Sequence, residues 1–307
     1  MPPCELPPAL SSSPVRLLSP LRFAILYSFS GLFAPDSDIQ TLLPAVRSLR
    51  KQVTGTNALL QTQVVAVRGA VPRLLHFLRA EFDTNSELQI ETCWVLTNLS
   101  CGSHEVTAPI VDHGGVQLLL RLARRTAEAT QLIRLKNETS ALLENAVWTL
   151  SNIAGDCVEY RDRVTPGLLP VLVPLLAEQG RVHPELAGVC SHALSPLLRL
   201  SPPPAMDVIQ KATPVLIEML DSDVSEVVVN ALWALSSIAN YDAYIQHVID
   251  LGVLPRAIEL ASAGGLKLLD PTISLLGSIA SVSVGIADRG GHEGGCCSRC
   301  SSFFFFF

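Results

Sequence analysis

The sequence has no run of about 20 uncharged apolar residues of the kind that spans a bilayer. Residues 271–287 carry no charge, but they are short and rich in serine and glycine. A surplus of positive charge is also missing, since 22 lysine and arginine residues face 28 aspartate and glutamate residues. We therefore expect no membrane insertion and no general affinity for nucleic acid, and we expect basic partners.

Cysteines are present without a disulfide framework. Four of the eight lie in or beside apolar helical segments, where reduced thiols are common in intracellular proteins: Cys93, Cys101, Cys157 and Cys190. The sequence also lacks a glycine-rich phosphate loop, a nucleophile elbow and a local pairing of histidine with cysteine or serine. These absences predict a protein that is not an enzyme and that has no cofactor and no metal ion.

Both ends of the chain differ in composition from its middle. Residues 21–34, LRFAILYSFSGLFA, loosely resemble a secretory signal, but we expect residues 1–35 to be a poorly ordered apolar leader. Residues 285–307 predict a disordered tail rich in glycine, cysteine and phenylalanine. Its possible zinc ligands have no standard metal spacing: His292, Cys296, Cys297 and Cys300.

The stretch NAVWTLSNIAGD (145–156) carries two different stripes at helical spacing. One stripe is apolar and predicts a buried face: Leu143, Val147, Leu150 and Ala154. Glu144, Trp148 and Asn152 form the second stripe, on another face of the same helix. What this second face contacts is the main question that the sequence raises.

Related stretches recur along the chain. WVLTNLSCG begins at Trp94, WTLSNIAGD at Trp148 and WALSSIANY at Trp233, with a degenerate copy, HALSPLLRL, at His192 and a fifth, SLLGSIASV, at Ser274. The spacings are 54, 44, 41 and 41 residues. They lie near the period of about 40 to 47 residues that is typical of armadillo and HEAT repeats. Each copy follows a short apolar segment that a glycine- or proline-marked turn opens, and this order is typical of an armadillo repeat. The segments are 68–78, 113–123, 165–177, 211–220 and 251–261.

The repeats predict an all-α fold, an armadillo-repeat right-handed superhelical solenoid of about six repeats spanning residues 36–284. The long first spacing assigns a charged insert to residues 124–140, as an extended loop or a lengthened helix. Residues 180–210 form a degenerate repeat. There Pro196 is expected to bend or break the helix, and the following SPPPA (201–205) predicts a weak joint.

The chain resembles the importin-α family, the armadillo adaptors that recognise nuclear localisation signals. Three stretches carry the resemblance in the order of the family: LQIETCWVLTNLSCGSHEVT (88–107), IVDHGGV (110–116) and ENAVWTLSNIAGDCVEYRDRV (144–164). The WxxxN pair followed by IAGD is typical of this family. The resemblance is strong from Val64 to Leu176 and weaker as far as Ala287.

The resemblance implies a concave groove that binds a lysine-rich, monopartite signal peptide. Tryptophans would flank lysine side chains, asparagines would bind the peptide backbone, and Asp156 with Gly102 and Thr107 would accept the critical lysine. The predicted site comprises Trp94, Asn98, Gly102, Thr107, Asn145, Trp148, Asn152, Asp156 and Trp233. Ser237 replaces the asparagine expected after Trp233, so packing is the favoured role for Trp233.

Some departures from the family favour an alternative. Residues 1–63 contain no basic cluster, which makes importin-β a doubtful partner, and His192 and Pro196 replace tryptophan and asparagine in the degenerate repeat. The first hypothesis is a nuclear import adaptor that is found in cytoplasm and nucleus. The alternative is a divergent or truncated armadillo scaffold that no longer binds localisation signals.

Overall fold

A computed structural model describes residues 31–33, 38–54, 58–133, 138–177, 184–263 and 265–285. Most of the predicted leader, residues 134–137 of the charged insert, residues 178–183 and the tail beyond Gly285 lie outside the described residues, and so do His292 and the three C-terminal cysteines. The described part contains no strand, and none of its helices is both long and apolar enough to cross a membrane.

Residues 31–33 are helical, and after them fourteen α-helices and two short 3-10 helices, Ala80–Phe82 and Met219–Asp221, make up the regular structure of the described ranges. The α-helices are α1 Ile39–Val53, α2 Ala58–Ala66, α3 Ala70–His76, α4 Ser86–Ser100, α5 His104–Asp112, α6 Gly115–Ile133, α7 Glu138–Asp156, α8 Val158–Ala177, α9 Pro184–Leu198, α10 Met206–Glu218, α11 Ser225–Ala239, α12 Asp242–Asp250, α13 Val253–Ala263 and α14 Leu266–Gly285.

Six long helices stack one on the next, in the order α1, α4, α7, α9, α11, α14. The helices between them pack against this stack, so each repeat contributes one long helix of the stack and the helix or helices that precede it. Burial is continuous, because apolar side chains from Leu32 to Ile279 form one core along the array. The predicted all-α solenoid of about six repeats is confirmed.

Glycine decides where the two short helices of a repeat separate. Gly69, Gly114 and Gly252 have φ values of 83°, 82° and 80°, a left-handed conformation that ends one helix before the next begins. The turn expected at 165–167 is absent, because α8 runs on through Pro166 and Gly167 without a break. Proline fixes φ near −65°, so Pro166 cannot adopt the left-handed conformation that separates the helices at the other three turns.

The turn expected near Lys211 is also absent. The segment KATP has no glycine, and α10 continues through it from Met206 to Glu218. In the third repeat, the excess residues of the charged insert lengthen a helix, since α6 extends to Ile133. The sequence left open an extended loop or a lengthened helix for the insert, and the described part of the insert is helical.

The degenerate repeat keeps a complete long helix. Pro196 lies inside α9, which has 15 residues like α4 and α11, so the predicted break at this proline is wrong. Pro196 stands in the last turn, and Leu194, Leu197 and Leu198 around it are fully buried. Packing therefore holds the final turn although the proline removes one backbone donor.

A buried arginine fixes the proline-rich link that follows α9. The Arg161 side chain is only 1% exposed, and its Nη1 lies 2.9, 2.9 and 2.7 Å from the carbonyl oxygens of Arg199, Leu200 and Pro202. The hydroxyl of Tyr244 donates to the carbonyl of Pro204 at 2.6 Å. These bonds tie α8 and α12 to the link, so the structure removes the reason for expecting a weak joint there.

Replacing Arg161 by methionine should lower the free energy of unfolding by about 3 kcal/mol or more, because buried carbonyl groups would lose a charged donor. Urea denaturation followed by circular dichroism measures the change. Arg163→Met on the same helix is the control. Its half-exposed side chain pairs with Glu159, and it should cost less than about 1 kcal/mol. Equal losses in the two variants would contradict the anchoring role of Arg161.

Candidate peptide-binding surface

The three tryptophans of the chain lie outside the core. Trp94 on α4, Trp148 on α7 and Trp233 on α11 are 42%, 36% and 37% exposed. The predicted apolar stripe of α7 is fully buried: Leu143, Val147, Leu150 and Ala154. The two-stripe interpretation of α7 is therefore confirmed. Trp233 is as exposed as the other two tryptophans, and the packing role favoured for it stays a prediction.

The chain supplies its own cation to Trp94. The guanidinium carbon of Arg50, on α1, lies 4.3 Å from the centre of the Trp94 ring, a distance typical of a cation-π contact. Glu91, one turn before Trp94, holds this arginine through an ion pair of 2.6 Å between Nε and Oε2. Arg50 therefore covers Trp94 on the side of α1.

A histidine covers Trp148 on the other side of the pair. The rings of Trp148 and His192 stack with their centres 5.7 Å apart and their planes at 25°. Burial lowers the pKa of His192 from 6.5, and the positive charge of Arg199 lowers it further. The imidazole is therefore neutral at pH 7 and packs as an aromatic ring.

Trp94 and Trp148 stand on neighbouring helices of the stack, α4 and α7, and we call the surface between their indoles the Trp slot. Because α1 and α9 lie at opposite ends of the stack α1, α4, α7, α9, Arg50 and His192 approach Trp94 and Trp148 from outside the pair. Beneath the slot, the hydroxyls of Thr97 and Thr149 are 2.7 Å apart and join α4 to α7. We define the indoles of Trp94 and Trp148 as the walls of the Trp slot.

The side-chain nitrogens of the three predicted asparagines already donate hydrogen bonds within the protein. The Nδ2 atoms of Asn98 and Asn145 donate to the carbonyls one turn before them, Trp94 and Ala141, at 3.0 and 2.8 Å. Asn152 donates across the helices to the carbonyl of Thr97 at 3.3 Å. Asn152 thus stabilises the α4–α7 contact as well as standing near the surface.

The carboxylate of Asp156 already has a partner. Its Oδ2 lies 2.6 Å from Nδ1 of His104, and the side chains of Asp156 and His104 are 14% and 60% exposed. The His104 ring stacks on Tyr160, with 5.4 Å between ring centres and 18° between planes. A ligand of Asp156 would therefore have to displace, or bind beside, an exposed imidazole.

The two neutral acceptors predicted beside Asp156 differ. Thr107 has no exposed surface, and its hydroxyl lies 3.4 Å from the carbonyl of Ser103, so the expectation that this hydroxyl faces a ligand is wrong. Gly102 is half-buried and closely approached, since an added Cβ would lie 2.9 Å from Oε1 of Gln61. A side chain at position 102 would displace the Gln61 carboxamide and would lie 3.0 Å from the carbonyl of Leu99.

Comparison with known proteins agrees with the armadillo-repeat fold. The family model for the armadillo/beta-catenin-like repeat matches residues 60–101 and 201–240. Importin subunit alpha-6 of Arabidopsis thaliana is 34% identical over 230 residues, 74% of this chain and 39% of that protein. Importin subunit alpha-1a of Oryza sativa subsp. japonica is 32% identical over 255 residues, 82% and 44% of the two chains. The chain is an importin-α-like armadillo-repeat protein.

Solved structures support the fold of this importin-α-like chain. An engineered protein matches it with a TM-score of 0.68 at 25% identity, over 86% of this chain and 100% of that one. A designed armadillo repeat protein in complex with the peptide (KR)4 matches with a TM-score of 0.67 at 23% identity, over 85% and 100%. The importin-α-like chain spans about two fifths of the length of these curated relatives. Importin-α and armadillo-repeat proteins are non-enzymatic adaptors or scaffolds.

Three contacts of the importin-α-like surface were missed by sequence reasoning. Arg50 on Trp94 and His104 on Asp156 join residues 44 and 52 positions apart, and no local pattern relates them. His192 was recognised only as a lost tryptophan. Its flat ring and its register with Trp148 were a signal that it could still stack.

The lowered pKa of His192 predicts acid sensitivity. The unfolded chain takes up a proton near pH 6.5 and the folded chain only at lower pH, so stability falls as pH drops below about 6.5. Between about pH 7.5 and about pH 5.5, the wild type should lose more free energy of unfolding than His192→Phe, which keeps an aromatic ring on Trp148. Parallel pH curves from urea denaturation would refute this coupling.

Proposed function

We propose that this chain is a nuclear import adaptor that binds one lysine-rich, monopartite localisation signal at the Trp slot. The observation that carries the proposal is the pair of indoles, Trp94 and Trp148, on neighbouring long helices with their outer sides already covered by Arg50 and His192. A slot between two indoles suits a long methylene chain that ends in a cation. A single slot accounts for a single short signal.

The side chains around the slot suit an extended peptide. A peptide backbone needs partners for its N–H and C=O groups, and the carboxamides of Asn98, Asn145 and Asn152 offer both kinds. Among the residues that the structure describes, no hydrogen-bond donor contacts the side-chain oxygens of these asparagines. Each oxygen can therefore accept a peptide N–H. Backbone contacts of this kind hold a peptide without selecting its side chains.

Asp156 supplies the charge that selects lysine in this proposal. Its side chain is mostly buried, so an ammonium group there is less screened by water than at an exposed carboxylate. The lysine would take the place of the His104 imidazole against Oδ2, and the carbonyl of Gly102 would be a second acceptor. The net charge of −6 also favours basic cargo over nucleic acid. Such an adaptor works in cytoplasm and nucleus.

Specific observations favour the alternative, an armadillo scaffold without signal binding. Arg50 already covers Trp94, and His104 already pairs with Asp156. In the later repeats, Pro196 and Ser237 replace the expected asparagines. The two functions differ in one measurement. The adaptor discriminates a lysine-rich peptide from the same peptide with its critical lysine changed to threonine, and the scaffold does not.

The double variant Trp148→Ala/Asn152→Ala should weaken binding of a fluorescent lysine-rich peptide by at least about 30-fold, because it removes one wall of the slot and one backbone partner. Fluorescence anisotropy measures the affinity. Helical content should stay near that of the wild type, which circular dichroism checks. Trp233→Ala, an equally exposed tryptophan outside the slot, is the matched control and should cost less than about threefold. Equal effects of the two variants would rule out the slot.

The charge-reversal variant Asp156→Lys should weaken lysine-peptide binding by at least about 30-fold, since loss of a partly desolvated charge partner costs about 2 to 5 kcal/mol. A peptide with aspartate at the critical position should recover affinity for this variant alone. Glu159→Lys changes the net charge equally on a side chain that is 67% exposed, so it is the control and should have little effect. Binding by Asp156→Lys within about twofold of wild type would favour the scaffold.

A further inference from the structure

A histidine, a carboxylate and a thiol meet where α5, α7 and α8 come together. His104 begins α5, Asp156 ends α7, and Cys157 links α7 to α8. One ligand atom from each residue lies within 4.8 Å of the other two, and Nδ1 of His104 is 2.6 Å from Oδ2 of Asp156. Among the described residues, this is the cluster of metal-ligating side chains that the fold brings together.

We propose that His104, Asp156 and Cys157 bind a divalent transition metal ion of the zinc type. Imidazole nitrogen, carboxylate oxygen and thiolate sulfur are the donors that Zn²⁺ takes at about 2.0 to 2.3 Å, and three protein ligands leave one position for water. A thiolate among the donors selects against Mg²⁺ and Ca²⁺, which prefer oxygen alone. The observed spacing needs only a small opening of the His104–Asp156 pair to admit the ion.

The surroundings of the cluster hold two of the ligands in place. Tyr160 stacks on the His104 ring and fixes its plane, and the carbonyl of Cys157 accepts the N–H of Arg161 at 2.9 Å. The exposed His104 side chain gives the ion a path from solvent.

The metal site overlaps the lysine position of the proposed function. Both cations would use Oδ2 of Asp156, so bound metal excludes the lysine ammonium and metal release opens the position. This regulatory consequence rests on the proposed function, whereas the metal site does not. Metal binding would thus compete with cargo binding through one shared oxygen atom.

Cobalt(II) tests the site directly, because a thiolate ligand gives it an absorption band that a site without sulfur lacks. The parent protein is the full chain with Cys296, Cys297 and Cys300 changed to serine, which removes the thiols of the C-terminal segment. It should bind one Co²⁺ with such a band, and Zn²⁺ should displace it. Cys157→Ser should abolish the band, and His104→Ala should weaken affinity by about tenfold or more.

Cys101→Ser is the matched control, since Cys101 is exposed but lies outside the cluster, and it should keep the band. A band that persists in Cys157→Ser, or no band in the parent, overturns the metal site. In the second arm, Zn²⁺ should weaken lysine-peptide binding by about tenfold in the parent relative to EDTA, and not in Cys157→Ser. Zinc binding without this effect overturns the competition. A peptide that fails to bind even in EDTA overturns the proposed function, while the cobalt spectrum still decides the metal site.

Discussion

Each inner long helix of this solenoid must bury one apolar flank against the long helix before it and another against the long helix after it. Leu143, Val147 and Leu150 of α7 meet that requirement with no exposed surface. A third flank of these helices does not face a neighbouring long helix, and on α4, α7 and α11 this flank carries the tryptophan. The surface residues are free to vary for binding because nearest-neighbour stacking, and not the surface itself, supplies the stability.

Periodicity made the fold predictable from the sequence. The recurring tryptophan stretches gave the repeats, and the two stripes around Trp148 gave the buried and open faces of α7. Helix breaks were predicted less well, because proline and glycine act through context. Glycine separates helices where its backbone is left-handed, as at Gly114, and continues a helix at Gly167. Pro196 is tolerated because its turn is the last of α9 and is packed on the core.

The sequence predicted which residues form the candidate site, but it did not predict which side chains already contact them. Positions such as Asp156 and Trp94 follow from their register in the repeat. Their partners do not, because Arg50 and His104 come from neighbouring repeats whose rotation depends on the packing of the whole array. Thr107 shows the opposite error, since a position transferred by motif proved to be inside the core. Residue identity gives chemistry, whereas only the stacked structure gives access.

The placement of the three tryptophans also decides what the intrinsic fluorescence of this protein reports. All three indoles lie on the open flank of the long helices, and none belongs to the core. Their emission therefore reports on the surface and on the contacts that Arg50 and His192 make from neighbouring helices of the stack. One indole lies beneath a guanidinium, one beside a neutral imidazole and one in neither setting among the described residues, so each has its own quenching environment. Replacing the indoles one at a time therefore assigns a spectral change to a single repeat.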